Sequence, residues 1–204
     1  MTTTAITADQ VKQLREKTGA GMMECKAALA EANGNMEEAI TILRKRGLAQ
    51  AAKRAGRATA QGLITSYIHL GGKIGVLVEV NCETDFVART DDFQTLAKEI
   101  AMHIAAADPK FVRREEIPAE TLDKEREIYR AQFAGSGKPA NVIEKIIDGK
   151  LESYYAQACL LDQPSVRDPN ITISQMVAAA TAKTGENVAV ARFARFKLGE
   201  TAEA

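Results

Sequence analysis

The chain has no tryptophan, only two histidines, three cysteines and no net charge, its 27 Lys and Arg matched by 27 Asp and Glu over 204 residues. Each shortage excludes something. Cys25, Cys82 and Cys159 are odd in number and widely spaced, with no CxxC pair and no His-rich spacing, so neither a disulfide framework nor a zinc site is expected. Free thiols in a reducing cytosol fit this pattern, and with them a cytoplasmic location. Balanced charge argues against a protein that lives mainly on nucleic acid. No apolar run approaches the roughly 18 residues of a membrane span, and the opening MTTTAITADQ lacks the basic start and apolar segment of a signal peptide. His69 and His103 fall in no spacing that pairs them with a nucleophile or a metal, which leaves both as structural side chains. Gly135-Ser136-Gly137-Lys138 imitates a phosphate loop and fails it, because Pro139 occupies the Ser/Thr position and Gln132 the place of the first glycine. No GxGxxG follows a strand. The sequence therefore predicts no enzyme, no cofactor, no metal and no direct nucleotide binding.

What is present is strong periodicity, in a chain long enough for one or two domains. Three short helices are predicted over residues 1–47. Thr7 with Gln10 forms a capping box, Val11 and Leu14 supply an apolar face, and Gly19 stops the first helix. Met22 to Ala32 is rich in helix formers, with Ala28, Leu29 and Ala32 on one side, and Asn33-Gly34 breaks it. Asn35 caps the third, Ile40 and Leu43 face inward, and Gly47 is expected to end it. Turns this tight fit a three-helix bundle. Residues 48–62 show no amphipathic stripe and read as a linker.

Leu63 to Leu70 and Lys73 to Val80 read as a β-hairpin turning at Gly71-Gly72, with Ile74, Val76, Val78 and Val80 alternating on one face. Phe93, Leu96, Ala97, Ile100 and Ile104 keep helical spacing up to Asp108-Pro109. Residues 118–160 read as a helical hairpin turning at 135–139, so heavily charged outside its one apolar seam that it is expected to project. Thr172 and Gln175 form a further capping box before a helix that stops at Gly185, and Asn187 to Phe196 closes as a strand. The predicted fold class is α+β: the helical bundle, then a core over 63–117 and 161–204 in which helices pack a three-stranded antiparallel sheet.

Three features stand out as functional. Six basic residues, Arg44, Lys45, Arg46, Lys53, Arg54 and Arg57, follow one another without an acid, enough for a modest phosphate-binding patch. No aromatic interleaves with them, so a solvated helix end and linker is the plainer reading. Met22 and Met23 point about 100° apart on a helix, so one of them stays at the edge of so small a bundle, as a partner surface or as leaked apolar area. Thr84-Asp85-Phe86-Val87 follows the end of a strand; taken alone, Phe86 is core packing, and its alternative is a wedge for a partner.

Together these features resemble the bacterial elongation factor Ts family. The segments that carry the likeness are VKQLREKTGAGMMECKAALAEANGNMEEAI at 11–40 and EVNCETDFVA at 79–88, with AMHIAA at 101–106 and SGKP at 136–139. The resemblance implies a guanine-nucleotide exchange factor for elongation factor Tu. It implies a ubiquitin-associated-like bundle that docks on the partner's G domain through Arg15, Met22 and Met23, to which Lys26 and Arg54 are added. It implies that Thr84, Asp85, Phe86 and Val87 displace the partner's Mg²⁺, with Phe86 inserted, which reverses the core reading of that residue. Ile74, Gly75 and His103 match positions of possible core contacts, and the 118–160 hairpin matches the family's coiled-coil protrusion. Because the Phe93 helix runs directly into AMHIAA, the likeness is to short members with one half-core, which pair into homodimers and form two-to-two complexes. A ribosome- or RNA-associated protein using the Arg44–Arg57 patch is the alternative from another class.

Overall fold

The computed structural model describes residues 6–133 and 136–200; residues 1–5, 201–204 and Gly135 of the expected 135–139 turn lie outside the described residues. In chain order the helices are α1 Ala8–Thr18, α2 Met22–Glu31, α3 Met36–Arg54, α4 Asp85–Ala88, α5 Asp91–Ala107, α6 Ala119–Gln132, α7 Ala140–Ala158 and α8 Ile173–Thr184. The strands β1 Gln61–Ile68, β2 Ile74–Cys82 and β3 Ala189–Lys197 form one sheet in the order β1-β2-β3. It is antiparallel throughout. The His69 N–H donates to the Ile74 carbonyl, and the Leu198 N–H past the end of β3 meets the Lys73 carbonyl before the start of β2. Among the described residues no helix is long and apolar enough to cross a membrane.

Two compact units interleave along the chain. The first comprises the chain to Leu63, Val80–Ala97 and Gln175–Ala189; the second comprises Ile64–Glu79, Lys98–Ser174 and the chain from Val190.

In the first unit the capping signals act as read. Thr7 Oγ1 accepts the Gln10 N–H while Gln10 Oε1 accepts the Thr7 N–H, and Asn35 Oδ1 takes the N–H groups of Glu37 and Glu38. Val11, Leu14, Cys25, Ala28, Leu29, Ala32, Ala39 and Leu43 make a closed apolar core. One expectation fails: Gly47 does not end the third helix, which continues to Arg54. A methyl group at Gly47 would make an ordinary contact with the Ala182 side chain of α8 at 3.6 Å, so this glycine is neither a stop nor demanded by its neighbour. Residues 48–54, expected in the linker, are therefore helical. The hairpin turn also differs, since the closing pair His69–Ile74 leaves four residues, Leu70 to Lys73, where two were expected.

In the second unit α6 and α7 run antiparallel, joined by Arg126–Asp148 and Arg130–Glu144 ion pairs, with Lys150 over the Tyr129 ring. Arg114 holds the end of α7 through Glu152 and Asp162 at 2.9 and 2.6 Å and stacks on Tyr155. His103 of α5 is 1% exposed. Its Nδ1 accepts the Val166 N–H at 3.3 Å, so Nε2 carries the proton and donates to Gln163 Oε1 at 2.8 Å. Burial depresses its pKa, and the Gln163 bond opposes this. The unfolded chain then takes up a proton near pH 6.5 that the native state resists, so stability falls as pH drops below that value. Urea midpoints at pH 7.5 and 5.5 test this: the wild type is expected to lose stability between them, and His103→Gln is expected to lose less.

Candidate protein-docking site

β2 ends at Cys82, and two residues later Thr84 turns the chain into α4, the four-residue helix that carries Phe86. Thr84 has extended backbone angles and its side chain accepts the Val87 N–H, so it is the N-cap of α4. Asp85 in the first turn pairs with Arg89 at 2.7 Å. Thr90 Oγ1 then bonds the Val87 carbonyl and receives the Phe93 N–H, which couples the end of α4 to the start of α5.

The sequence reading missed what holds this turn. The corner between α8 and β3 brings Glu186 and Asn187 against it from more than a hundred residues away. Glu186 Oε2 accepts the N–H groups of Glu83 and Thr84 at 3.1 and 3.0 Å, and Oε1 accepts the Thr84 hydroxyl at 2.6 Å. In return Glu83 Oε1 accepts the Asn187 N–H at 2.6 Å and the Arg57 guanidinium at 3.4 Å. The Asn187 N–H, with Arg57 beside it, holds the Glu83 carboxyl below the usual glutamate range. Asn187 Nδ2 donates to the Arg57 carbonyl at 2.8 Å, tying the chain after α3 into the same corner. Cys82 Sγ donates to the Thr84 carbonyl at 3.1 Å; burial and the neighbouring Glu186 raise its pKa, so it stays a protonated thiol.

The outcome is an aromatic ring displayed on a restrained base. Phe86 is 78% exposed, which removes the core-packing reading. Nothing inside the unit calls for a large apolar ring in water, whereas a docking partner does.

The helical bundle of the same unit presents the other expected contacts. Arg15 and Lys26 are exposed, and Met22 and Met23 are 47% and 75% exposed. Both methionines lie outside, where one was expected at the edge, because Cys25, Ala28 and Leu29 already fill the inward line of α2. Arg54 is half-buried and bonds Gln50 at 3.4 Å; Gln50 in turn reaches Glu24. α8 links bundle and α4 region: Ala182 lies under Gly47, while Lys183 lies beside Gly19 and pairs with Asp92 of α5 at 2.7 Å.

The three core positions belong to the second unit. Ile74 and Gly75 are half-buried in β2, where a methyl group on Gly75 would meet Ile68 at 3.1 Å. His103 is enclosed, with both ring nitrogens engaged, and so presents no surface to a partner. On the second unit's part of the sheet Ile64, Ile68, Leu77 and Phe196 are exposed.

Comparison with known proteins gives one answer. The family model for Elongation factor TS matches residues 1–200. Elongation factor Ts of Fervidobacterium nodosum is 64% identical over 195 residues, 96% of this chain and 99% of that protein. The protein of the same name from Koribacter versatilis is 60% identical over 198 residues, 97% of this chain and 90% of that one. That of Caldanaerobacter subterraneus is 58% identical over 198 residues, covering 97% and 99%.

Proposed function

The chain belongs to the elongation factor Ts family, and on that premise we propose that it promotes release of GDP from elongation factor Tu during translation elongation, in the cytoplasm and without a covalent step. The observation that carries the mechanism is Phe86, 78% exposed on a capped and clamped turn. A guanine nucleotide in such a partner is held by Mg²⁺ and by backbone groups around its phosphates. Thr84, Asp85, Phe86 and Val87 enter beside the metal, with Phe86 as the inserted ring, and shift that cradle. Arg15, Met22, Met23, Lys26 and Arg54 on the ubiquitin-associated-like bundle dock on the G domain; the exposed methionines support this, since flexible thioethers adapt to a partner surface. The α6–α7 pair is the family's coiled-coil protrusion.

Two copies associate through the core to give a two-to-two complex. Support comes from the sheet, where Ile64, Ile68, Leu77 and Phe196 leave apolar area in water that a second copy would cover. The RNA reading loses ground, because two of the six basic residues are offset by acids, Arg46 by Glu31 and Arg57 by Glu83.

An exchange factor binds the nucleotide-free partner better than the GDP-bound one, and by linkage GDP weakens the complex as much as the complex weakens GDP. Gel filtration of the two proteins is expected to show a stable complex without nucleotide that dissociates as GDP is added. A complex indifferent to GDP contradicts the proposal.

A further inference from the structure

We propose that Glu186 is a positioning residue for exchange, holding Phe86 through Thr84 at the angle its partner receives; this rests on the exchange reading of Phe86. The reason lies in the size of α4. A helix of four residues has no stability of its own, because nucleation costs more than one turn of hydrogen bonds returns. Its own cap is weak: the Thr84 hydroxyl receives the Val87 N–H at 3.4 Å. Glu186 supplies what the helix lacks. One carboxylate takes two consecutive backbone N–H groups and the capping hydroxyl at 3.1, 3.0 and 2.6 Å, and three charge-assisted bonds from one group fix the backbone of Glu83 and Thr84 together.

The carboxylate is itself held. Gly185 has φ +77°, which places Glu186 just past a left-handed turn at the end of α8, and the Glu186 N–H bonds Thr184 Oγ1. The next residue, Asn187, is tied to Glu83 and to the Arg57 carbonyl. Without Glu186 the docking surface on α1 and α2 is unchanged, but Phe86 samples many directions and must be ordered at each encounter. That loss falls on the step after docking.

The test is assisted release of a fluorescent GDP analogue from elongation factor Tu, measured against concentration of this protein. Glu186→Ala is expected to lower the maximal rate about tenfold while the half-saturating concentration stays within about twofold of wild type. Glu186→Gln, which keeps one acceptor oxygen, should fall between the two. In a Phe86→Ala background the Glu186→Ala effect should vanish, since a positioning residue has nothing left to position. A wild-type maximal rate in Glu186→Ala beside a slow Phe86→Ala overturns this inference alone, as does an undiminished Glu186→Ala effect in the Phe86→Ala background. A wild-type rate in Phe86→Ala overturns the exchange reading and this inference with it. Should Glu186→Ala not fold, Glu186→Gln carries the same test by the same double-variant comparison.

Discussion

Phe86→Ala is expected to slow assisted GDP release by roughly a hundredfold, the equivalent of about 3 kcal/mol for truncating an aromatic anchor that is desolvated in a complex. The same substitution should leave the free protein almost untouched. The ring is 78% exposed, and substitutions at such positions usually change stability by no more than about 0.5 kcal/mol. The pair of measurements is therefore sharp: stopped-flow release of a fluorescent GDP analogue for function, and the urea midpoint for fold. Slow release with an unchanged midpoint is the signature of a side chain kept for its partner. An unchanged release rate removes Phe86 from the mechanism.

The largest effect on the fold is expected at Gly62, in β1. Its φ of +150° lies outside the range that side chains commonly adopt, and a methyl group there would lie 2.2 Å from the Val80 carbonyl and 2.7 Å from Asn81 Cα. Both obstacles are backbone of the paired strand and neither can rotate away. Gly62→Ala is expected to cost about 3 kcal/mol or more, through strain and a forced separation of β1 from β2. Gly47→Ala should do the reverse. The new methyl would make an ordinary contact with Ala182 at 3.6 Å, and alanine improves a helix interior by up to about 1 kcal/mol. Urea midpoints of the two variants should move in opposite directions. A shift of the same sign in both contradicts the packing described for one of them.

These two glycines show why parts of the fold were legible in the sequence and parts were not. Signals that act over three or four residues were readable: the Thr7–Gln10 box, the Asn35 cap, the alternation through Val76, Val78 and Val80, and the spacing from Phe93 to Ile104. Gly47 misled because a glycine preceded by Arg44, Lys45 and Arg46 looks like a helix C-terminus, whereas the helix runs on through it to Arg54. The site divides in the same way. The Thr84–Val87 segment was visible as a motif, yet residue type alone favoured burying Phe86, and only the likeness to a family pointed outward. Glu186 and Asn187 carried no local signal, because a carboxylate just after a helix-ending glycine reads as solvated surface. Their partners, Glu83 and Thr84, are neighbours only once β2 and the α8–β3 corner have folded.

The central claim is catalysed exchange, and its most direct measurement is the rate of fluorescent GDP release from elongation factor Tu at amounts of this protein well below one per partner, with unlabelled nucleotide in excess. The account predicts that each molecule serves many partners in turn, so that the whole population releases its GDP faster in proportion to the protein added. Release at the spontaneous rate, from a partner shown to bind nucleotide normally, or acceleration confined to one partner per molecule, would contradict it.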